Sequence, residues 1–450
     1  MTVFFLRFWI KLYKTNIVKR LSILLLFAAL FTNVAFAQGN RMKETGNDRF
    51  AIKAQPFMGF YIDMNRNLIN INPSAPTGIN LGLEFPSSRQ RYWQQYHNDP
   101  TVGFGLSYIN WGADKPMGHA ISAYPYILLH AARAKHFELK FKLAAGMGVV
   151  SRHYYSHEIN ETDFNSPVNN TTFSTYLNVY LSAGLDMDFP ITRNFAINTE
   201  FGFFHMSNGK IRVPNRGANV FYGAVGMIAT INPEEEKEPM VFPNLPYRWS
   251  LNVTGAAGAM HLDREDKHKF FIASLHTGAI YNVCNWYGVG AGVDVFFNDC
   301  VSTNSKNGFY REDLTYTFTD KLRVGIGINN EFTFGDVTAI LDWGVYVFNP
   351  SRNYYNSYYH SEEYKKYGDK RPLFYKCKDV GVDDGWNYFR FGAKYRIWDN
   401  IYVQASAKMH LQICEYVEFG IGYRIPFLKK SKRQNGKVLF HHNRKWWEKY

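Results

Sequence analysis

Apolar and polar residues alternate with a period of two in one segment after another, from about Phe50 to Phe427. Ile401, Val403, Ala405, Ala407, Met409 and Leu411 are apolar, whereas the interleaved Tyr402, Gln404, Ser406, Lys408 and His410 are polar or amphipathic. Phe137, Leu139, Phe141, Leu143, Ala145, Met147 and Val149 alternate in the same way with Glu138, Lys140 and Lys142. Successive side chains of a strand point to opposite faces, so each segment predicts a strand with one face for lipid and one for a polar interior. Tight connections fall at Ala134-Lys135, Pro190-Ile191, Asn282 to Asn285, Phe334-Gly335 and Trp398 to Asn400, and long polar ones at Ser151 to Thr171, Asn298 to Asp313 and Asn349 to Gly385. Short turns on one side and long loops on the other are the pattern of a membrane barrel. The predicted fold class is all-β, an antiparallel transmembrane outer-membrane β-barrel of about 16 strands. Eight of these fall before Asn232 and eight after Tyr247, so two eight-stranded barrels are the alternative.

The ends of the chain add the compartment. Basic residues precede a largely apolar run, Leu21 to Ala37, that closes on Ala35-Phe36-Ala37. This predicts a signal peptide over residues 1–37, cleaved before Gln38. Export combined with barrel strands points to the bacterial outer membrane. No later apolar run reaches the ~20 residues of a spanning helix. The predicted order is a first barrel half at 38–232, a charged, proline-containing link at 233–246, a second half at 247–428 and a basic tail at 429–450.

Composition fits that picture. Aromatic residues make up 17% of the chain, while the mean hydropathy is slightly negative, as expected where lipid-facing and lumen-facing residues average out. A soluble secreted β-protein is the competing class. The formal net charge of +13 is concentrated in the leader and in the tail, where Trp446 and Trp447 beside basic residues suit a membrane interface. The modest surplus elsewhere suits an anionic partner as well as it suits a solvated surface. Nothing points to nucleic acid. The four cysteines, Cys284, Cys300, Cys377 and Cys414, lack the close pairing of a structural zinc site, and no metal or other cofactor is expected.

One stretch carries chemistry. Over residues 194–220 the sequence reads NFAINTEFGFFHMSNGKIRVPNRGANV. Phe195, Ile197, Phe201 and Phe203 form the apolar face of its strand, and His205 and Ser207 continue that face, whereas Asn198, Glu200 and Gly202 lie on the other. A His and a Ser are thus expected on the lipid side, near the outer end of the seventh strand. Residues two apart on a strand project to the same side about 6.6 Å apart, close enough for an imidazole to lean onto a hydroxyl. His205 could take the Ser207 proton as general base, letting the oxygen attack an ester carbonyl, and then protonate the departing alkoxide.

At these residues the chain resembles the PagL-type lipid A 3-O-deacylases. That family has HxSN, a short turn and then PNxGxE; here His205, Ser207 and Asn208 match, followed by Pro214, Asn215 and Gly217. The resemblance spans roughly Phe50 to Asn232, and the remainder is similar to the large-barrel members called acyloxyacyl hydrolases. It implies a serine esterase of the outer membrane that removes the ester-linked 3-position acyl chain from lipid A in the outer leaflet and so modifies lipopolysaccharide. Where the family has the glutamate that orients the histidine, this sequence has Asn219, which shares a face with Phe221, Val225 and Met227. An amide can fix the imidazole tautomer but cannot stabilise imidazolium by charge. Glu200 lies on the wrong face to substitute. Asn208, Asn215 and backbone N–H groups of the turn from Gly209 to Gly217 are the candidate oxyanion donors.

Other candidates read as structural. His119 and His410 have no serine two residues on; His119 is expected to be a barrel or interface residue and His410 to pack in the lumen. Asp186 and Asp188, beside a tight turn, are expected to be solvated or salt-bridged. The rival reading is a non-enzymatic barrel, a channel or a structural protein, which Asn219 favours and a lipid-facing His and Ser oppose. A further alternative is an esterase of other outer-leaflet lipids.

Overall fold

The structure, a computed structural model, describes residues 49–62, 66–87, 89, 91–156, 169–232, 245, 247–261, 268–301, 317–350, 386–410 and 413–428. The leader at 1–37, the link at 233–246 apart from Leu245, Cys377, much of the long loops and the tail at 429–450 lie outside these residues.

The first unit contains eight strands: β1 (Phe50–Tyr61), β2 (Thr77–Pro86), β3 (Thr101–Asn110), β4 (His119–Ala134), β5 (Phe137–Val150), β6 (Leu177–Pro190), β7 (Phe195–Ser207) and β8 (Ala218–Ile231). Neighbours in sequence pair antiparallel, and β1 also pairs with β8, closing the barrel. The second unit contains β9 (Tyr247–Met260), β10 (Phe270–Asn282), β11 (Tyr287–Asn298), β12 (Leu322–Phe334), β13 (Val337–Phe348), β14 (Asn387–Arg396), β15 (Ile401–His410) and β16 (Ile413–Leu428). It closes in the same way through β16 on β9. The architecture is therefore two eight-stranded barrels, not one ring of sixteen. At eight strands the interior is just wide enough to be filled by side chains, and both interiors are filled in that way.

Two short helices, α1 (Arg66–Ile71) between β1 and β2 and α2 (Tyr92–Tyr96) between β2 and β3, were not expected from the sequence pattern. The tight turns β4–β5, β6–β7, β10–β11, β12–β13 and β14–β15 fall where the alternation breaks.

The alternation reads directly onto the walls. In β1, Lys53, Gln55 and Phe57 face inward, whereas Ile52, Met58 and Phe60 are exposed. In β15, Tyr402, Gln404, Ser406, Lys408 and His410 are all buried. Exposed Ile, Leu, Val and Phe side chains cover both outer walls, among them Leu81, Phe141, Phe201, Phe271, Ile326, Phe391 and Phe419. An apolar exterior around a charged interior inverts the order of a water-soluble protein and fits a hydrocarbon surrounding.

The interior of the first barrel is an ion-pair lattice below an aromatic layer. Lys53 bridges Glu84 at 2.9 Å and Asp186 at 2.8 Å. Lys140 bridges Asp186 at 2.9 Å as well as Asp188, and Lys142 meets Glu200 at 2.9 Å. Asp186 and Asp188 are thus salt-bridged inside the barrel. Above them Tyr180 stacks on Tyr124 at 4.8 Å and on Phe204 at 5.6 Å, and Trp111 packs on Phe173 at 5.0 Å. Removing one member of such a lattice strands buried charge. Asp186→Ala, which leaves two ammonium groups short of a partner, is expected to cost about 3–5 kcal/mol, measured as a lowered urea midpoint for unfolding of the first barrel.

The second barrel is crossed by an independent lattice. Arg390 meets Asp294 at 2.7 Å and Glu418 at 3.1 Å; Lys394 and Arg424 share Glu331; Lys408 and Arg323 share Glu415. His410 is part of this interior, with its Nε2 3.0 Å from the Tyr346 hydroxyl.

Candidate active site

Strand β7 carries Phe201, Phe203, His205 and Ser207 on its outer face, with Asn198, Glu200 and Phe204 turned inward. β8 carries Asn219 and Phe221 on the same outer face, and their register opposes His205 to Asn219 and Phe203 to Phe221. Facing residues of an antiparallel pair have Cβ atoms about 5 Å apart, so the pairing alone brings an amide to the imidazole.

The side chains complete a row of three. The His205 Nδ1 lies 2.7 Å from the Asn219 Oδ1, and its Nε2 lies 2.8 Å from the Ser207 Oγ. An amide oxygen can only accept, so Nδ1 carries the proton and donates it to Asn219. Nε2 is then left with its lone pair aimed at the serine hydroxyl, which donates to it. This is the tautomer that a general base for Ser207 needs. Glu200, as expected, is elsewhere: it accepts from Lys142 and from Tyr222 within the lumen. No carboxylate reaches the ring of His205 among the described residues.

The surroundings are apolar on the membrane side. Phe221 packs against Phe60, tilted, at 5.8 Å and edge-to-face against Phe203 at 5.7 Å, one step along the strands from the His205–Asn219 pair. Ser207 is only 7% exposed. Behind the pair runs the backbone of Gly217, at a φ of 70°, where a Cβ would sit 2.9 Å from His205 Cε1 and 3.1 Å from Ser207 Cβ. Only glycine combines that left-handed conformation with so close an approach.

Asn208 and Asn215 bond to each other within the β7–β8 connection: the Asn208 backbone N–H donates to Asn215 Oδ1 at 3.1 Å, and Asn208 Nδ2 donates to the Arg212 carbonyl at 3.0 Å. Both shape this loop. His119 lies on the outer wall, its Nδ1 2.9 Å from the Tyr108 hydroxyl. Among the described residues no group of three or more His, Cys, Asp or Glu side chains is placed to hold a metal ion.

Comparison with known proteins gives two family matches in tandem. Residues 77–227, which include His205, Ser207 and Asn219, match the family described as lipid A 3-O-deacylase (PagL). Residues 248–367 and 373–429 match the acyloxyacyl hydrolase C-terminal domain. A search of curated protein sequences gives no significant match. Among solved structures, the outer membrane enzyme PagL is similar at 15% identity, covering 40% of this chain and 99% of its own, with a TM-score of 0.27. Neisserial surface protein A is similar at 8% identity over 41% of this chain and 95% of its own, TM-score 0.24. The attachment invasion locus protein Ail of Yersinia pestis is similar at 12% identity over 41% and 97%, TM-score 0.23. Matched in both halves, the chain belongs to the PagL-type family of lipid A deacylases, with the acyloxyacyl hydrolase C-terminal domain as its second half.

Proposed function

We propose that this lipid A deacylase works as a serine esterase of the outer membrane, with Ser207 as nucleophile, His205 as general base and acid, and Asn219 as the group that orients the histidine. The observation that carries the reading is the continuous row from Asn219 through both imidazole nitrogens to the Ser207 hydroxyl, on the lipid-facing side of a barrel wall. Polar groups on that side are costly unless they are used.

In the first half-reaction the Ser207 oxygen attacks the ester carbonyl while His205 Nε2 takes its proton. The tetrahedral intermediate collapses, the sugar oxygen leaves with the proton returned by His205, and the acyl chain stays on Ser207. Water, deprotonated by the same nitrogen, then releases the fatty acid. Donors from the segment between Asn208 and Gly217, with Asn208 and Asn215 as the side chains, are proposed to meet the oxyanion. The bond cut is assigned to the 3-position ester of lipid A, and lipopolysaccharide in the outer leaflet is the natural substrate. A pore reading is disfavoured by the ion-pair lattices that cross each described lumen.

Mass spectrometry of lipid A from cells expressing the protein tests the substrate. The expected result is the loss of one ester-linked 3-position acyl chain, absent with Ser207→Ala. Unchanged lipid A with the protein correctly inserted overturns the assignment, and free fatty acid released from glycerophospholipids instead would transfer it to those lipids.

A further inference from the structure

The sequence gives no reason to connect Asn67, in a loop helix, with a serine on the seventh strand. The first barrel joins them through backbone. Asn67, in α1, is 0% exposed, and both ends of its amide are used. Its Nδ2 donates to the Asn169 carbonyl at 2.8 Å, and its Oδ1 accepts from the Thr171 N–H at 3.2 Å and the Thr171 hydroxyl at 2.7 Å. The segment it grips, Asn169 to Ser174, is itself completely buried, and its turn is closed by Asn170 Oδ1 accepting from the N–H groups of Thr172 and Phe173.

This strap continues to the active site. The carbonyl of Thr171 accepts from the Arg216 N–H at 3.1 Å, and that of Thr172 accepts from the Gly217 N–H at 3.0 Å. Gly217 is the residue at which an added Cβ would run into His205 Cε1 and Ser207 Cβ, and Asn219 follows two residues later. A side chain more than 100 residues away from the strap in sequence thus fixes the strap, and the strap fixes the wall behind the imidazole.

We propose that Asn67 and Thr171 are positioning residues for the deacylation: the Asn67 amide clamps the strap, and the strap's carbonyls hold Gly217 where it keeps the His205 ring in line with the Ser207 oxygen. The proposal rests on the assignment of Ser207 as nucleophile. A polar group could hold a loop for stability alone, but then its loss would change how much protein folds and not how fast each folded molecule turns over. Alignment of reacting groups behaves otherwise, since a displacement of about 1 Å costs up to about a hundredfold in rate.

The test compares Asn67→Ala, Thr171→Val and Thr171→Ser in the full chain, with the folded fraction read from heat-modifiable gel mobility. Two quantities are measured per folded molecule: kcat and KM on lipid A in detergent micelles, and the rate at which an alkyl fluorophosphonate labels Ser207, the serine oxygen displacing fluoride from phosphorus. The expected result is a kcat about tenfold lower for Asn67→Ala, with KM unchanged and labelling slowed in parallel. Thr171→Val should fall in the same direction and Thr171→Ser, which keeps the hydroxyl, should recover. If Asn67→Ala does not fold, the Thr171 pair decides. Unchanged kcat and labelling per folded molecule in Thr171→Val and Asn67→Ala overturn the positioning role while leaving the nucleophile in place. Absence of Ser207 labelling in the wild type overturns the nucleophile assignment and this proposal with it.

Discussion

Ser207→Ala is expected to lower the rate of lipid A deacylation by at least about a thousandfold without altering the folded barrel. The hydroxyl donates to His205 Nε2 at 2.8 Å, and among the described residues it is the hydroxyl that this base meets. His205→Ala should cost a similar factor, because a serine without a base is a poor nucleophile at neutral pH. Groups that act as a unit give non-additive losses. The double variant should therefore be no slower than either single one. Initial rates in detergent micelles decide the matter: a residual rate within tenfold of wild type for Ser207→Ala would remove the serine from the mechanism.

The second large effect is a gain. Asn219→Glu is expected to raise kcat by about ten- to a hundredfold. In the serine-protease template, exchanging the orienting carboxylate for an amide costs about 10⁴, in large part because the wrong tautomer results. Here the amide oxygen already accepts from Nδ1 at 2.7 Å, so the tautomer is right and only the charge that would stabilise imidazolium is missing. A smaller factor is what remains to be recovered. Asn219→Asp keeps the length of the native side chain and tests charge at fixed geometry, whereas glutamate must fold back by one methylene across the His205–Asn219 register pair. Asn219→Leu, which removes the acceptor, should lose activity. If neither acid raises kcat and Leu is harmless, the orienting role of Asn219 fails.

The placement of the candidate residues was legible in the sequence because strand parity is unforgiving. Once Phe195, Ile197 and Phe201 are outward, His205 and Ser207 must be outward as well, and the structure places them there. The Asn219 contact followed from the same parity in β8. Closure was not legible: a ring of sixteen strands and two rings of eight share the same strands and turns, and differ only in whether β8 bonds to β1 or to β9. That choice is made by pairing across the whole half-chain, from Phe50 to Ile231. The helices α1 and α2 are too short to leave a periodic signal. The strap was invisible for a further reason, since Asn67 reaches residues 102 and 104 positions away and an asparagine in a loop reads as an ordinary turn former. Asn208 and Asn215 are candidate oxyanion donors by residue type, and their hydrogen bonds add a role in holding their own loop that residue type alone does not distinguish.

With the proposed His205 and Ser207 site on the outer wall and not in the lumen, a substrate molecule would reach it by travelling in the plane of the bilayer. The concentration that governs turnover is then a mole fraction in a two-dimensional film. Diluting lipid A with inert detergent at constant bulk amount would slow the enzyme, while enlarging the aqueous volume around the same vesicles would leave its rate untouched.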